Sequence, residues 1–369
     1  MNSNFVIRYS YKEYYVSTSI STPNGDTTDA DLLGLQKLRT ARDQIRAQMA
    51  GTIVGQGEAI DQLLISLFAR GHCILEGVPG LAKTLMIRTL AQCLSLDFGR
   101  IQFTPDLMPS DITGTDVMYE DRASGDRSFK FLNGPIFANV LLADEINRTP
   151  PKTQAALLEG MQERQVSAGG KRYMLPDPFF VLATQNPIEQ EGTYPLPEAQ
   201  LDRFLMKIYI NYPDLEDEKQ IYRLTTTGQF VEPKPVIGRD EMIELQRIVR
   251  RVPVSDFIVN YVAQLVRSTR HNDPRSPQFI KDWVLWGCGP RGGQSLISAA
   301  QARAALDGRP EVEIDDIKAM STAVLRHRMV LNYTAESQGQ TSETVINKLI
   351  ETIPAQESGA GSRVEKVLK

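Results

Sequence analysis

Short continuous apolar runs alternate with segments of helical periodicity through roughly the first 210 residues of the chain. A continuous apolar run suits a parallel strand whose two faces are both covered. The runs therefore predict strands at residues 73–75, 140–143, 179–184 and 205–210. Because helical segments separate them, the pattern favours an α/β core with a parallel sheet and helices on both faces, extending over residues 31–210.

Strand patterns disappear after a linker at residues 211–214, and helical periodicity takes over. The segments that we predict as helices are 214–224, 239–250, 255–270, 279–286, 294–306 and 314–327. The second part of the chain, residues 211–335, is therefore predicted to be a small all-helical domain that packs beside the α/β core.

Two segments inside the core alternate between apolar and polar residues around paired turn residues. They are residues 117–131, around Ser124-Gly125, and residues 165–175, around Gly169-Gly170. Alternation of this kind predicts β-hairpins. Ordinary surface hairpins would carry the same pattern, so the hairpins alone say nothing about a substrate.

The two ends of the chain have a composition that is typical of flexible tails. Residues 1–30 are rich in Ser, Thr, Asn and Tyr, although residues 5–16 could add an edge strand. Residues 336–369 are rich in Gly, Ser, Gln and Glu, with a weakly amphipathic segment at 345–353. We therefore expect both ends to be flexible.

Charge and composition exclude some classes of protein. The 369 residues include 41 Lys and Arg against 45 Asp and Glu, a net charge of −4 without a basic block, which argues against a dedicated nucleic-acid surface. Apolar stretches are too short to cross a bilayer. The three scattered cysteines predict buried thiols in a reducing, cytoplasmic compartment. The three histidines lack ligand spacing, so a zinc site is not expected.

A glycine-rich segment follows the first predicted strand: residues 77–84 read Gly-Val-Pro-Gly-Leu-Ala-Lys-Thr. Glycines let backbone N–H groups approach phosphate oxygens, and the next helix directs partial positive charge toward them. In such a loop Lys83 reaches the outer phosphates, and the Thr84 hydroxyl holds Mg²⁺. Ala82 stands where glycine is usual, which we interpret as a mild departure because alanine is small and favours helix.

Two carboxylates, Asp144 and Glu145, follow the second buried run. Ligands of open α/β sheets bind at the carboxyl ends of the strands. There Asp144 could hold the hydration shell of Mg²⁺, and Glu145 could orient and polarise an attacking water. Two carboxylates can also simply close a strand, but their pairing with the upstream loop favours the functional interpretation.

Three further residues have alternative interpretations at this level. Asn186, before a proline, could bind the γ-phosphate or the lytic water, or only start a turn. Arg203, expected on a short helix, could be a surface charge or reach the γ-phosphate of a neighbouring subunit. Arg291 opens a predicted helix, a poor place for a cation unless an anion such as triphosphate binds there.

Several of these motifs together resemble the MoxR family of AAA+ ATPases. The resemblance runs from about residue 32 to about residue 332, and its specific segments are 76–84, 102–106, 133–137, 142–154 and 183–187. It implies a P-loop NTPase core of the AAA+ type with a helical lid. It also implies that the hairpins are the helix-2 insert and the pre-sensor-1 hairpin, which project toward a ring pore or its upper face.

The resemblance assigns roles to individual residues. It implies that Asn186 is the sensor-1 residue, Arg203 an arginine finger that acts in trans, and Arg291 the sensor-2 residue. Arg148 could cap the next helix or contact a neighbour's nucleotide. The full predicted nucleotide-binding set is Val54, Gly55, Gln56, Gly77, Val78, Pro79, Gly80, Leu81, Ala82, Lys83, Thr84, Leu85 and Arg291, with Glu145, Lys83, Arg203 and Asn186 as catalytic residues and Thr84 and Asp144 as metal ligands.

The expected function is ATP hydrolysis with Mg²⁺ by a homo-oligomeric ring, which the family suggests to be a hexamer. The ring would remodel, assemble or activate protein complexes, and the family suggests a von Willebrand A-domain protein as a partner. Alternatives are a nucleic-acid motor, a chelatase-like subunit that drives metal insertion, and a nucleotide-gated scaffold without catalysis. The intact Asp144, Glu145, Asn186 and Arg203 disfavour the scaffold.

Overall fold

The computed structural model describes residues 29–120, 127–187, 192–227 and 232–354. The strands in these ranges are β1 Cys73–Glu76, β2 Phe98–Gln102, β3 Gly114–Glu120, β4 Arg127–Asn133, β5 Val140–Asp144, β6 Gln165–Ala168, β7 Lys171–Met174, β8 Phe180–Gln185, β9 Met206–Tyr209, β10 Val284–Trp286 and β11 Val330–Leu331. Five of them form a parallel sheet in the order β2-β5-β8-β1-β9. The predicted parallel sheet is confirmed.

The helices of the first part are α1 Asp29–Ala50, α2 Gly57–Phe68, α3 Lys83–Cys93, α4 Pro109–Thr113, α5 Pro151–Glu163 and α6 Glu198–Leu201, with a 3₁₀ turn at Ile146–Arg148. The helices of the second part are α7 Leu215–Thr227, α8 Arg239–Arg251, α9 Asp256–Ser268, α10 Gln278–Trp283, α11 Pro290–Leu306, α12 Ile314–Leu325, α13 Tyr333–Ser337 and α14 Ser342–Thr352.

Two hydrophobic cores cover the two faces of the sheet. Cys73 and Leu75 of β1 belong to one core, which also holds buried residues of α1, α2 and α3, whereas Ile74 between them belongs to the other, with residues of α5. Because successive strand residues point to opposite faces, an unbroken apolar strand serves both cores. Helices therefore lie on both faces, as the apolar runs predict.

Both predicted hairpins are present, and they contact each other. β3 pairs with β4 and β6 with β7, each antiparallel. The ring of Phe131 on β4 stacks on the ring of Tyr173 on β7, with centroids 4.0 Å apart. The turn of the first hairpin, around Ser124-Gly125, lies outside the described residues.

The helical lid differs from prediction at two places. Residues 284–286, predicted as the end of a helix, form β10, which pairs with β11. Residues 342–352, predicted to lie in a flexible tail from residue 336, form α14, because Val345, Ile346 and Leu349 are fully buried in the lid. An apolar stripe of this kind stabilises a helix even in a polar segment. The lid therefore extends to about residue 353.

Other boundaries agree more closely with prediction. The first helix begins at Asp29, two residues before the predicted start, and α11 begins at Pro290, four residues before it. The predicted N-terminal tail, apart from its last two residues, and residues 355–369 lie outside the described residues. Within the part of the chain that the structure describes, no helix is long and apolar enough to cross a membrane.

Candidate functional site

The loop after β1 is held close to the backbone beyond β9. A Cβ on Gly77 would lie 2.7 Å from the carbonyl oxygen of Ile210, so only glycine fits there. Gly80 has φ +87 and Ala82 has φ +56, both left-handed. The departure at Ala82 is therefore less mild than we expected. The left-handed conformation costs a residue with a Cβ about 1 kcal/mol of conformational energy, whereas glycine adopts it freely.

Lys83, the first residue of α3, turns its side chain back across this loop. Its Nζ donates a hydrogen bond to the Gly77 carbonyl oxygen at 2.6 Å. Burial lowers the pKa of Lys83 below its ordinary value, while the charges of Asp144, Glu145 and Glu76 oppose that shift. The ammonium group therefore lies among carboxylates at the carboxyl ends of the parallel strands, where a polyphosphate would need a cation.

Asp144 is fixed by one donor on each carboxylate oxygen. The Thr184 hydroxyl on β8 donates to Oδ1 at 2.7 Å, and the Arg100 guanidinium on β2 donates to Oδ2, also at 2.7 Å. The Thr184 hydroxyl in turn accepts the backbone N–H of Glu145 at 2.8 Å. Sequence reasoning missed Arg100 and Thr184, because their roles depend on the order of the strands in the sheet.

Glu145 leaves β5 in a left-handed conformation, with φ +57. Its Oε2 accepts a hydrogen bond from Gln102 Nε2 at 2.9 Å and lies 3.3 Å from Arg148 Nε. The Arg148 guanidinium pairs with Glu145 in this protomer, and both interpretations of Arg148, capping of the next helix and contact with a neighbour's nucleotide, stay predictions. Gln102, in a segment that we used for the family resemblance, is a further residue whose contact with the site the sequence did not predict.

Asn186 and Thr84 lie at the same edge of the sheet. Asn186 follows β8 and is buried, and the next residue, Pro187, lines a cavity together with Gly77 and Val78. Thr84 is half-buried in the first turn of α3. Its hydroxyl and the Asp144 carboxylate are oxygen donors of the kind that Mg²⁺ prefers. These residues fit a magnesium ion that is also held by phosphates.

A metal site built from side chains alone is not found. Among the residues that the structure describes, no group of three or more His, Cys, Asp or Glu side chains could hold a metal ion. Mg²⁺ usually keeps several waters and binds through one or two protein oxygens together with substrate phosphates.

A recess beside the phosphate loop lies between the core and the lid. This cavity of about 320 Å³ is lined by Gly55 and Gln56 from the core and by Arg326 and Asn347 from the lid, among others. It shares residues 209, 211 and 212 with the cavity of about 270 Å³ at Gly77 and Val78. The two cavities adjoin, so a base in the first would place its phosphates at the loop.

The predicted residues around this recess are close together. The Gln56 side chain donates to the Asn211 carbonyl oxygen at 2.9 Å. Arg326 lies 4.3 Å from the centroid of the Tyr209 ring and pairs with Glu343 at 2.8 Å. Gly55 and Gln56 therefore line this recess, and the assignment of Val54, Gly55 and Gln56 to an adenine pocket stays a prediction. The lid contribution from Arg326, Glu343 and Asn347 was not predicted.

Arg203 and Arg291 lie together at a different place. Both line a cavity of about 180 Å³ that His72 also lines. His72 comes directly before β1, whereas the phosphate loop comes directly after it, and a four-residue strand is about 13 Å long. The structure therefore groups Arg291 with Arg203, away from the phosphate loop of the same protomer. Arg203 follows the short helix α6 instead of lying on it.

Both arginines keep contacts that leave them facing the cavity. Arg203 Nη1 donates to the Leu158 carbonyl oxygen of α5 at 3.2 Å. Arg291 is 48% exposed, and its Nη1 lies 3.8 Å from Asp202 Oδ2. An ion pair this long and this exposed contributes little stability. Arg291 is therefore available to an anion that enters the cavity.

Buried Arg328 fixes the segment that carries Arg203, and buried His72 links β8 to α5 beside the same cavity. Arg328 of the lid donates to Asp202 Oδ1 at 2.7 Å and to the Phe204 carbonyl oxygen at 2.6 Å. His72 accepts the Val181 N–H at 3.0 Å on Nδ1, and its Nε2 lies 3.3 Å from the Met161 carbonyl oxygen. Burial lowers the pKa of His72 to about 4, so its ring is neutral near pH 7.

Two family models match the chain. A model described as "ATPase family associated with various cellular activities (AAA)" matches residues 72–206, which hold the phosphate loop, Asp144, Glu145, Asn186 and Arg203. A model described as "AAA lid domain" matches residues 280–349, which include the first eight residues of α14. The fold and the motifs define this chain as a AAA+ protein with a P-loop core and a helical lid.

The similar proteins narrow this class. Chaperone MoxR1 of Mycobacterium tuberculosis is 45% identical over 302 residues, 82% of this chain and 78% of the relative. YeaC of Bacillus subtilis is 44% identical over 309 residues, 83% of this chain and 92% of the relative. A solved structure from Cytophaga hutchinsonii has a TM-score of 0.82 at 40% identity and covers 89% of this chain and 98% of its own. The chain belongs to the MoxR family of AAA+ ATPases.

Proposed function

We propose that this chain binds ATP with Mg²⁺ and hydrolyses it at the boundary between two copies in a ring, and that the released energy remodels, assembles or activates protein complexes. The observation that carries the proposal is the separation of charges along β1. Lys83 is at one end of the strand and Arg203 with Arg291 at the other. A strand of four residues is about 13 Å long, which exceeds the length of an arginine side chain, so we assign the triphosphate that these arginines would meet to another copy.

In the proposed complex the base enters the recess at Gly55 and Gln56, and the triphosphate lies along residues 77–84. Lys83 exchanges its hydrogen bond with the Gly77 carbonyl oxygen for the outer phosphates. Thr84 and Asp144 hold the magnesium ion, which neutralises phosphate charge when it is bound. Arg100 and Thr184 keep the Asp144 carboxylate in position, since they bind its two oxygens.

Glu145 is the proposed base that polarises the attacking water. Gln102 and Arg148 hold its Oε2, so Oε1 is the oxygen left to accept a hydrogen bond from water. The same two donors stabilise the ionised carboxylate. Asn186, buried beside this position, would orient the water or the γ-phosphate.

The neighbouring copy completes the site. Arg203 would stabilise charge on the transferred phosphoryl group, an effect worth about 10³–10⁵-fold in other NTPases. Arg291, which the resemblance implies to be the sensor-2 residue, is proposed to enter the same neighbour's site. Ring size remains a proposal: the family suggests six copies.

The name of one relative, Chaperone MoxR1, supports the proposal that this chain acts on other proteins. A nucleic-acid motor is the weaker alternative, because the β6–β7 hairpin carries only Lys171 and Arg172 as neighbouring cations for phosphates. A chelatase-like subunit has the same core motifs, and only a partner assay separates it. Because the three cysteines are buried and free, we propose that the protein acts in the cytoplasm. A protein with a von Willebrand A domain is a candidate client.

The test measures phosphate release per chain as a function of protein concentration. We expect specific activity to rise steeply across the concentration range in which the chain assembles, as followed by sedimentation. Unchanged specific activity upon dilution to monomers would contradict completion of the site by a neighbour. Stimulation by single-stranded DNA would favour the nucleic-acid motor. Clients can be sought by capture on the Glu145→Gln variant in ATP.

A further inference from the structure

An apolar projection of the lid lies next to the arginine cavity. Leu285 and Trp286, at the end of β10, are 49% and 65% exposed, and the Trp286 ring meets the His271 ring edge-on at 6.5 Å. Trp286 lies five residues before Arg291, and the segment between them is fixed by Arg270, whose Nε donates to the Cys288 carbonyl oxygen at 3.0 Å. We name Leu285, Trp286 and His271 the lid knob.

A second apolar surface lies at the other edge of the protomer, beside the base recess. Tyr212 and Leu215, at the start of α7, are 73% and 67% exposed, and Tyr222 one to two turns later is also exposed. Asp217 of α7 lies directly against Gly55, since a Cβ on Gly55 would collide with the Asp217 carboxylate. Because Gly55 lines the recess, this surface lies beside the recess. We name Tyr212, Leu215 and Tyr222 the α7 face.

The two surfaces carry opposite charge. Residues 267–291, around the lid knob, contain five Lys or Arg and two Asp, one of which, Asp273, is buried and already paired with Arg267. Residues 211–227, around the α7 face, contain four Asp or Glu and two Lys or Arg. Complementary charge around apolar centres is the arrangement expected of two surfaces that meet.

The arginine cavity and the recess, which these two surfaces adjoin, lie at the two ends of the edge strand β9, since Arg203 precedes this strand and Tyr209 ends it. At its amino end the lid residue Arg328 binds the Phe204 carbonyl oxygen, and at its carboxyl end Arg326 covers the Tyr209 ring. A second copy displaced along the strand direction would therefore bring its arginine cavity to the triphosphate and its lid knob to the α7 face together. A head-to-tail contact of this kind closes into a ring when a rotation accompanies it.

We propose that the lid knob of one copy docks on the α7 face of the next copy and so delivers Arg203 and Arg291 to the neighbour's triphosphate. This inference rests on the proposed function. The occupant of both surfaces is a second copy of this chain. Trp286 is the central anchor, since a large aromatic side chain amid polar groups is the commonest kind of interface hot spot.

Site-specific crosslinking tests the docking directly. Leu215→Cys and Trp286→Cys variants are mixed with a non-hydrolysable ATP analogue and a short bis-maleimide, at a protein concentration far enough above half assembly to offset the weaker docking that loss of the Trp286 ring should cause. Native Cys73, Cys93 and Cys288 are buried, which keeps them from the reagent. We expect a covalent dimer in the mixture and none with either variant alone. Leu33→Cys, at an exposed leucine of α1, replaces Trp286→Cys as the control and should give no dimer.

A second measurement avoids new cysteines. Trp286→Ser should raise the protein concentration at half assembly at least about tenfold, as measured by sedimentation with the ATP analogue, while Leu33→Ser should not. Dimers from Trp286→Cys alone, equal crosslinking of the control, or unchanged assembly of Trp286→Ser would each overturn the docking surface. If activity still depends on assembly, only this inference is wrong; if the chain neither assembles nor hydrolyses ATP, the proposed function is wrong too.

Discussion

The carboxyl end of β1 and its amino end differ in how they are built. At the carboxyl end Lys83 is surrounded by carboxylates and loop amides that come from two short motifs of the α/β core, residues 76–84 and 144–145. At the amino end Arg203 and Arg291 come from segments about ninety residues apart, one in the core and one in the lid, and meet beside His72. The binding half of the site therefore comes from compact motifs within one domain, whereas the cationic half depends on how the lid packs against the core.

The largest expected effect comes from inactivating one end of β1 in some copies and the other end in other copies. Arg203→Ala should lower phosphate release about 10³-fold or more while ATP affinity is retained, because the arginine acts on another copy's nucleotide. Mixing Arg203→Ala with Glu145→Gln, two inactive proteins, should restore up to about a quarter of wild-type activity in randomly mixed rings. A mixture that stays inactive although mixed rings form would show that both residues serve the same copy.

At the carboxyl end, substitutions of Lys83 and Glu145 should distinguish a loss of ATP affinity from a loss of hydrolysis. Glu145→Gln should lower turnover about 10²–10⁴-fold with little change in ATP affinity, because it removes a base and leaves the phosphate contacts. Lys83→Ala should weaken ATP binding as well as turnover, since it removes a phosphate cation. Fluorescent-nucleotide titration and phosphate release measure the two quantities, and an equal loss of affinity in both variants would contradict these roles.

At the amino end, acid should weaken the fold through His72. Burial lowers its pKa from 6.5 to about 4, so the unfolded chain takes up a proton that the folded chain does not. Stability is then fully present above pH 6.5, falls by roughly 1 kcal/mol per pH unit below it, and levels off below about pH 4. His327, whose pKa burial also lowers, adds a similar slope.

His72→Gln is the matched variant for this prediction. A glutamine amide can accept the Val181 N–H and donate to the Met161 carbonyl oxygen without titrating, as the neutral imidazole does. Urea denaturation at pH 7, 6.5, 6 and 5.5 should show a shallower pH dependence for His72→Gln than for the wild type. Identical slopes would mean that His72 does not titrate differently in the folded and unfolded chains.

The smallest expected effect concerns Ala82 at the carboxyl end. Its φ of +56 strains a residue with a Cβ, and glycine removes that strain but adds freedom to the unfolded chain. Ala82→Gly should therefore change the free energy of unfolding by less than about 1 kcal/mol and leave turnover nearly unchanged. A loss of ATP affinity above tenfold would indicate that the alanine methyl group itself shapes the loop.

The sequence predicted well the elements whose burial leaves a direct pattern in the chain. Unbroken apolar runs located the strands β1, β5, β8 and β9, and the alternating segments located both hairpins, because burial on two faces or one leaves a direct pattern. The MoxR resemblance is confirmed by the similar proteins. The individual roles of the site residues stay predictions.

The errors share one physical cause, which is dependence on tertiary contacts. The apolar residues 284–286 look like the end of a helix, and only pairing with β11 makes them a strand. The polar composition after residue 335 hides three apolar residues of α14 that the lid buries. Arg100 meets Asp144 only because β2 lies beside β5, and strand order is not written in either segment.

The end of α12 touches two places that matter for the proposed cycle. Arg326 reaches the recess for the base, and Arg328, two residues later, grips Asp202 and the Phe204 carbonyl oxygen on either side of Arg203. If the recess takes the base and Arg203 acts on the next copy, as proposed, this short lid segment would couple nucleotide binding in one copy to the position of the arginine that the next copy needs. Turnover in such a ring would then be expected to proceed from one copy to the next.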